Sequence, residues 1–240
     1  MAFSYDLPRN EVAALLRSSR SQAGFVASFF DLAASRRGKS RWAEKTPLNV
    51  RHLGWIYRHF PNARFIHVIR DGRDVACSLR SHPVRRFVDG AWASVPQNRS
   101  VASCIQQWLT LTGEGMGWRA DPRYLEVRYE DLVRDPEATM RRVMAFVGEP
   151  FDEAWLAARL AAQAGEGAPA AGSGSAAGSA AGRPTTGAAA PSTTNKPNAA
   201  GAISTGSIGR WRRDLTPAEI QLIRDRAEAR LIELGYETPG

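Results

Sequence analysis

FIHVIRDGRDVACSLR, residues Phe65 to Arg80, decides how this chain folds. The apolar run RFIHVI (Arg64 to Ile69) has the length and composition of a short buried strand. It stops at Arg70, a tight Asp71-Gly72 turn follows, and Arg73 to Ser81 then reads as a helix. In open α/β sheets ligands gather beyond the carboxyl ends of strands, which is where Arg70 falls. The N-terminus of the following helix adds free N–H groups and the positive end of its dipole, both suited to phosphate. Asp74 and Ser78, four residues apart, share one helical face, leaving Val75 and Leu79 to meet the sheet. Arginine can grip a phosphate through two donors and serine can add a hydroxyl. A lone Arg-Asp-Gly would be no more than a surface turn, so the flanking sequence has to carry the argument.

Helices and strands alternate outward from this stretch. Val50, Leu53, Ile56, Tyr57 and Phe60 mark one helical face, entered through Thr46-Pro47, a cap followed by proline. Val101, Cys104, Ile105, Trp108 and Leu109 form a second amphipathic face, and YLEVRY (Tyr124 to Tyr129) reads as a second strand. Asp135-Pro136-Glu137 opens a helix carrying Met140, Val143, Met144 and Val147. Ile220, Ile223, Ala227, Leu231 and Leu234 mark a last helix ending at Gly235. Strands separated by helices predict an α/β fold, a parallel sheet covered by helices on both faces.

Composition sets the bounds. The 240 residues suffice for one α/β domain. The net charge of +8 suggests an anionic partner, although all but three of the 32 basic residues are arginine, which fits codon bias equally well. No nucleic-acid-reading pattern accompanies the charge, so no nucleic acid is expected as partner. Cys77 and Cys104 are isolated and read as reduced structural thiols. The four histidines form no H-E-x-x-H pattern, and no metal is expected. No signal-peptide layout or membrane-length apolar run occurs, so the expected location is cytoplasmic. Residues 163–202 are almost wholly Ala, Gly, Ser, Thr and Pro and are read as a low-complexity flexible insertion. The insertion divides a core of residues 1–162 from a C-terminal segment, 203–240, of the same domain.

WAEKTPLNVRHL…FPNARFIHVIRDGRDVACSLR, from Trp42 through Arg80, resembles the sulfotransferases that use 3′-phosphoadenosine 5′-phosphosulfate (PAPS), above all bacterial members and the tyrosylprotein enzymes. RYLEVRYEDLVRDPEATMRRVMAFVGEPFD (Arg123 to Asp152) is similar to that family's second strand and following helix. SIGRWRRDLTP (Ser207 to Pro217) resembles its C-terminal cofactor segment, and LIELGY (Leu231 to Tyr236) its last helix. The resemblance implies a P-loop-like nucleotide-transferase fold, with PAPS as co-substrate and no metal. It implies that Arg70 and Ser78 bind the 3′-phosphate and that Tyr129 lies near the adenosine. Arg210 falls on a basic residue that reaches the cofactor phosphates, and Lys45 near a lysine that stabilises the transferring sulfuryl group. The spacing from Lys45 to Arg70 differs by one residue from the tyrosylprotein enzymes. His82 stands where those enzymes carry a further cofactor arginine, a departure that Arg80 or Arg85 could cover. For Trp211, ordinary core packing is the preferred reading.

Sulfuryl transfer is an in-line displacement governed by positioning and charge stabilisation, by analogy with phosphoryl transfer. The resemblance implies a hydroxyl acceptor and leaves sugars, lipids, phenols and peptide tyrosines open. Glu44 and His67 could serve as general base but read better as structural. Members of the family begin with a strand and a G-x-P-R-S-G-T-like loop that cradles the 5′-phosphosulfate, and no stretch here matches it. Arg17 to Ser21 has arginine and serine but no glycine, in a region that reads as helical. The chain is therefore expected to be N-terminally truncated, and a catalytically incompetent nucleotide-binding remnant is the alternative reading. A P-loop kinase would require a G-x-x-x-x-G-K-[ST] loop, which the sequence lacks.

Overall fold

A computed structural model of the chain describes residues 7–88, 91–95, 97–165 and 205–236. Of the low-complexity stretch, only residues 163–165 fall among these, and they continue a helix; the rest lies outside the described residues. The chain divides into two compact units, Met1–Thr46 with Gln163–Ala202, and Pro47–Ala162 with Ile203–Gly240.

In the first unit, α1 (Arg9–Ser18) and α2 (Gln22–Ser35) pack around Leu7, Phe29 and Ala33. Ser21 caps α2 by accepting from Gly24 N at 3.0 Å. Arg17 to Ser21 is thus the junction of two helices rather than a helical interior, because serine is more useful as a cap than within a helix. Past α2, the Trp42 ring stacks on Phe30 at 4.7 Å and its Nε1 donates to Asp31 at 2.9 Å.

The second unit opens with a 3-10 helix, Pro47–His52, that passes into α3 (Leu53–His59). Val50, Leu53 and Tyr57 are buried as their spacing predicts, but the first turns are wound more tightly than an α-helix, a common form for helix ends. In chain order β1 (Phe65–Ile69), α4 (Gly72–Leu79), β2 (Val84–Val88), β3 (Ala91–Val95), α5 (Val101–Met116), β4 (Tyr124–Arg128) and α6 (Tyr129–Arg134) follow. Then come α7 (Pro136–Val147), α8 (Glu153–Gly165), α9 (Trp211–Asp214) and α10 (Pro217–Glu233). The class is α/β: β1 and β4 form a parallel pair flanked by helices. Parallel strands need a crossover connection, and the residues between β1 and β4 supply it, chiefly as α4 and α5.

Register is the consequence that matters for the site. Phe65 pairs with Tyr124 and Ile69 with Arg128, so both strands stop at the same level and Arg70 and Tyr129 leave the sheet side by side. The larger core packs Ile69 against Ala76 of α4, Ile105 and Trp108 of α5, and Ile223 and Leu231 of α10. A second cluster joins Val50, Leu53, Tyr57 and Tyr124. β1 is less buried than its composition suggests: Val68 is 51% exposed, whereas its register partner Val127 is 2% exposed. The antiparallel hairpin of β2 and β3, in register from Val84↔Val95 to Val88↔Ala91, is an addition that the sequence reading passed over.

Several local devices fix α4 and the chain ends. Asp71 is not merely a turn residue. It caps α4 by accepting from Arg73 N at 2.9 Å, and it takes the Arg73 guanidinium through both oxygens. Gly72 is required by packing, because a Cβ there would come within 2.7 Å of the Trp108 ring. Asp135 caps α7 with Pro136 in its first turn, and a Thr216–Glu219 capping box opens α10. Gly235, at φ 74°, ends α10 in the left-handed conformation that its position requires.

Candidate functional site at the carboxyl ends of the parallel strands

Arg70 is held from several sides. Its carbonyl accepts from Trp108 Nε1 at 2.9 Å. Its guanidinium carbon sits 4.8 Å from the centre of the Tyr129 ring, a cation–π distance, and Nη2 donates to the Ser207 carbonyl. Nε is buried and has no hydrogen-bond partner among the described residues. The Tyr129 hydroxyl meets Ser207 Oγ at 3.0 Å. Parallel register thus brings together two of the residues singled out in the sequence, and the C-terminal segment crosses both of them.

Asp74 anchors that crossing. Its carboxylate is fully buried, accepts from Gly209 N at 2.8 Å and Trp211 N at 3.0 Å, and lies 3.7 Å from Arg70 Nη2. Arg210 sits between the two anchored amides and directs Nε to Asp214 at 2.7 Å. Trp211 enters the main core, as preferred, with the Arg73 guanidinium 4.1 Å from its ring centre. Beneath this layer, Glu130 accepts from Asp71 N and from the Tyr236 hydroxyl, both at 3.0 Å, tying the last helix to the strand ends.

Ser78 and Arg80 lie farther along α4 and at its end. Ser78 is one helical turn beyond Asp74 and exposed, with no hydrogen bond to its hydroxyl found among the described residues. Arg80 turns to the start of α10, with Nη1 3.4 Å from the Asp214 carbonyl and 3.5 Å from Glu219. Lys45 is an exposed residue of the first unit, and the sequence resemblance alone supports its role. His67 has a structural environment. Its Nδ1 lies 2.5 Å from the Tyr124 hydroxyl, and burial lowers its pKa below the ordinary histidine value despite Glu126 nearby. Cys77 is a core thiol whose pKa burial pushes up to about 11, so it stays protonated and unreactive near neutrality.

Sequence reasoning missed the anchoring role of Asp74 and the bridging role of Ser207. One signal was available for Asp74. An acidic residue in the first turn of a helix that faces phosphate would repel the ligand unless donors elsewhere claimed its carboxylate.

The Sulfotransferase family pattern matches residues 8–153, and the chain belongs to that family. It is similar to a protein-tyrosine sulfotransferase of Drosophila melanogaster, 31% identical over 119 residues, covering 48% of this chain and 22% of that protein. Protein-tyrosine sulfotransferase 1 of Danio rerio is 32% identical over 114 residues, 47% of this chain and 30% of the relative. The omega-hydroxy-beta-dihydromenaquinone-9 sulfotransferase Stf3 of Mycobacterium tuberculosis (strain CDC 1551 / Oshkosh) is 28% identical over 116 residues, with 47% and 30% covered. The matched stretch spans less than a third of these relatives. Among solved structures, mouse sulfotransferase SULT7A1 complexed with PAP aligns with a TM-score of 0.46 at 15% identity, over 75% of this chain and 65% of that one.

Proposed function

We propose that this chain binds PAPS at the carboxyl ends of β1 and β4 and serves sulfuryl transfer to a hydroxyl acceptor. The observation that carries the reading is the buried Nε of Arg70, a charged donor without an acceptor among the described residues, at the strand end where the register also puts Tyr129. A buried unpaired donor is costly, and an acceptor-rich anion would satisfy it. Arg70 and Ser78 would hold the 3′-phosphate, Tyr129 would support the adenosine side, and Arg210 would turn from Asp214 toward the remaining phosphate charge. Family membership supplies the reaction class, and the names of the relatives supply the acceptor chemistry, the hydroxyl of a protein tyrosine or the omega-hydroxyl of a dihydromenaquinone.

PAPS, when bound, supplies the sulfuryl group. The task of this chain's residues is to hold charge in place. Arg70 is set by the Trp108 and Ser207 contacts before any ligand arrives, which reduces the reorganisation needed at binding. Arg210 is a cation on a segment whose backbone is already fixed on both sides.

The test is a transfer assay with radiolabelled PAPS and a panel of sugar, lipid, phenol and tyrosine-peptide hydroxyls. Label appearing on at least one acceptor, and lost in Arg70→Ala, supports the proposal. Nucleotide binding without transfer to any acceptor would instead favour the reading of a binding protein that lacks the reaction.

A further inference from the structure

We propose that Asp74 is a positioning residue whose one buried carboxylate fixes the backbone on both sides of Arg210 and stands beside Arg70, the two cations of this site. The inference rests on the nucleotide reading above. Asp74 is the one acidic residue with no exposure among the described buried side chains, and its two oxygens are separately occupied, Oδ2 by Gly209 N–H and Oδ1 by Trp211 N–H. These amides flank Arg210, so the direction in which Arg210 leaves the backbone is set 136 positions away in sequence, in the first turn of α4. The same Oδ2 lies 3.7 Å from Arg70 Nη2. A carboxylate beside a phosphate site is repulsive in itself. Here its charge is taken up by two amides and a guanidinium, and the return is a fixed geometry for the segment from Ser207 to Trp211.

The geometry also explains Gly209. Its φ of 72° lies in the left-handed region, and an added Cβ would meet Arg212 Nη1 at 2.8 Å. That backbone conformation is part of how successive N–H groups turn toward a single carboxylate, and glycine adopts it without strain.

Asp74→Asn tests the assignment in the full chain. Asparagine keeps the shape but retains a single acceptor oxygen, so one anchored amide would face an N–H₂ donor. Amide hydrogen exchange of Gly209 and Trp211 should accelerate by about tenfold or more, the loss expected for a hydrogen bond to a charged acceptor. Amides of β1, α5 and α10 should keep their protection. Calorimetric affinity for adenosine 3′,5′-bisphosphate (PAP) should fall by about tenfold or more on the same ground. Unchanged exchange at both amides would overturn the anchoring. Faster exchange with unchanged PAP affinity would overturn the positioning role. If Asp74→Asn does not fold, Gly209→Ala perturbs the segment without touching the buried carboxylate and should reproduce the affinity loss; full affinity there would also count against positioning. A wild-type chain with no affinity for PAP would sink the nucleotide reading, and the amide comparison would then decide the anchoring by itself.

Discussion

Arg70 divides its guanidinium among three neighbours, the Ser207 carbonyl, the Asp74 carboxylate and the face of Tyr129, with Nε left over. The ring and the hydroxyl of Tyr129 can be separated by mutation. Tyr129→Phe keeps the surface under Arg70 and loses only the contact to Ser207 Oγ, so PAP affinity should stay within about threefold of wild type. Tyr129→Ala should lose about tenfold, the scale of a partly desolvated cation–π contact; titration calorimetry of both variants checks the order. His67 gives a pH signature. Its folded pKa lies below the unfolded value, so the unfolded chain takes up the proton first, and stability falls as pH drops below about 6.5. Above that pH the group is neutral in both states and contributes no slope. Thermal midpoints of wild type and His67→Gln, measured from pH 8 to 5, should show the steeper acid-side decline in wild type. Arg70 was legible because it ends an apolar run, and Tyr129 because it ends a strand that resembles the family's second one. Asp74 was legible only as a carboxylate oddly placed in the first turn of that helix; its donors were not, because backbone amides of a distant segment leave no mark on residue identity.

α4 shows how one element carries both packing and chemistry. Its first residue, Gly72, lies under the Trp108 ring, and Trp108 in turn donates to the Arg70 carbonyl. Gly72→Ala should therefore destabilise the protein by about 1–3 kcal/mol, the usual cost of overpacking a filled core, and should weaken PAP binding as Trp108 shifts. Denaturant unfolding and tryptophan emission read the two effects; an unchanged midpoint would show that the ring has room to move. The helices α5, α7 and α10 were legible from apolar periodicity and caps. The hairpin of β2 and β3 was passed over although Asp89-Gly90, a turn-forming pair, separates its arms. Arg85-Arg86 interrupts its apolar residues and breaks the alternation that would mark a strand. The strand β1 read as buried because Phe65, Ile66, Val68 and Ile69 are all apolar, yet composition does not tell which face a neighbour covers.

For the whole molecule, the second unit builds its cores from Pro47–Ala162 and Ile203–Gly240, segments far apart in sequence. Residues 166–202 lie between them and contain almost no side chains able to build a core. Closure entropy rises by only about 0.6 kcal/mol for each doubling of a connection, so a short Gly/Ser replacement should leave the thermal midpoint within a few degrees. A large fall, or loss of soluble protein, would show that the stretch packs. The division at Thr46 follows a polar stretch, Ser35 to Arg41, that the sequence reading did not take as a boundary.

The central claim, a site for a nucleotide carrying a 3′-phosphate at the ends of β1 and β4, is tested most directly by comparing PAP with AMP in one titration calorimetry series. The account predicts tighter binding of PAP, and loss of most of that preference in Arg70→Ala. Equal affinity of the wild-type chain for the two nucleotides would contradict it.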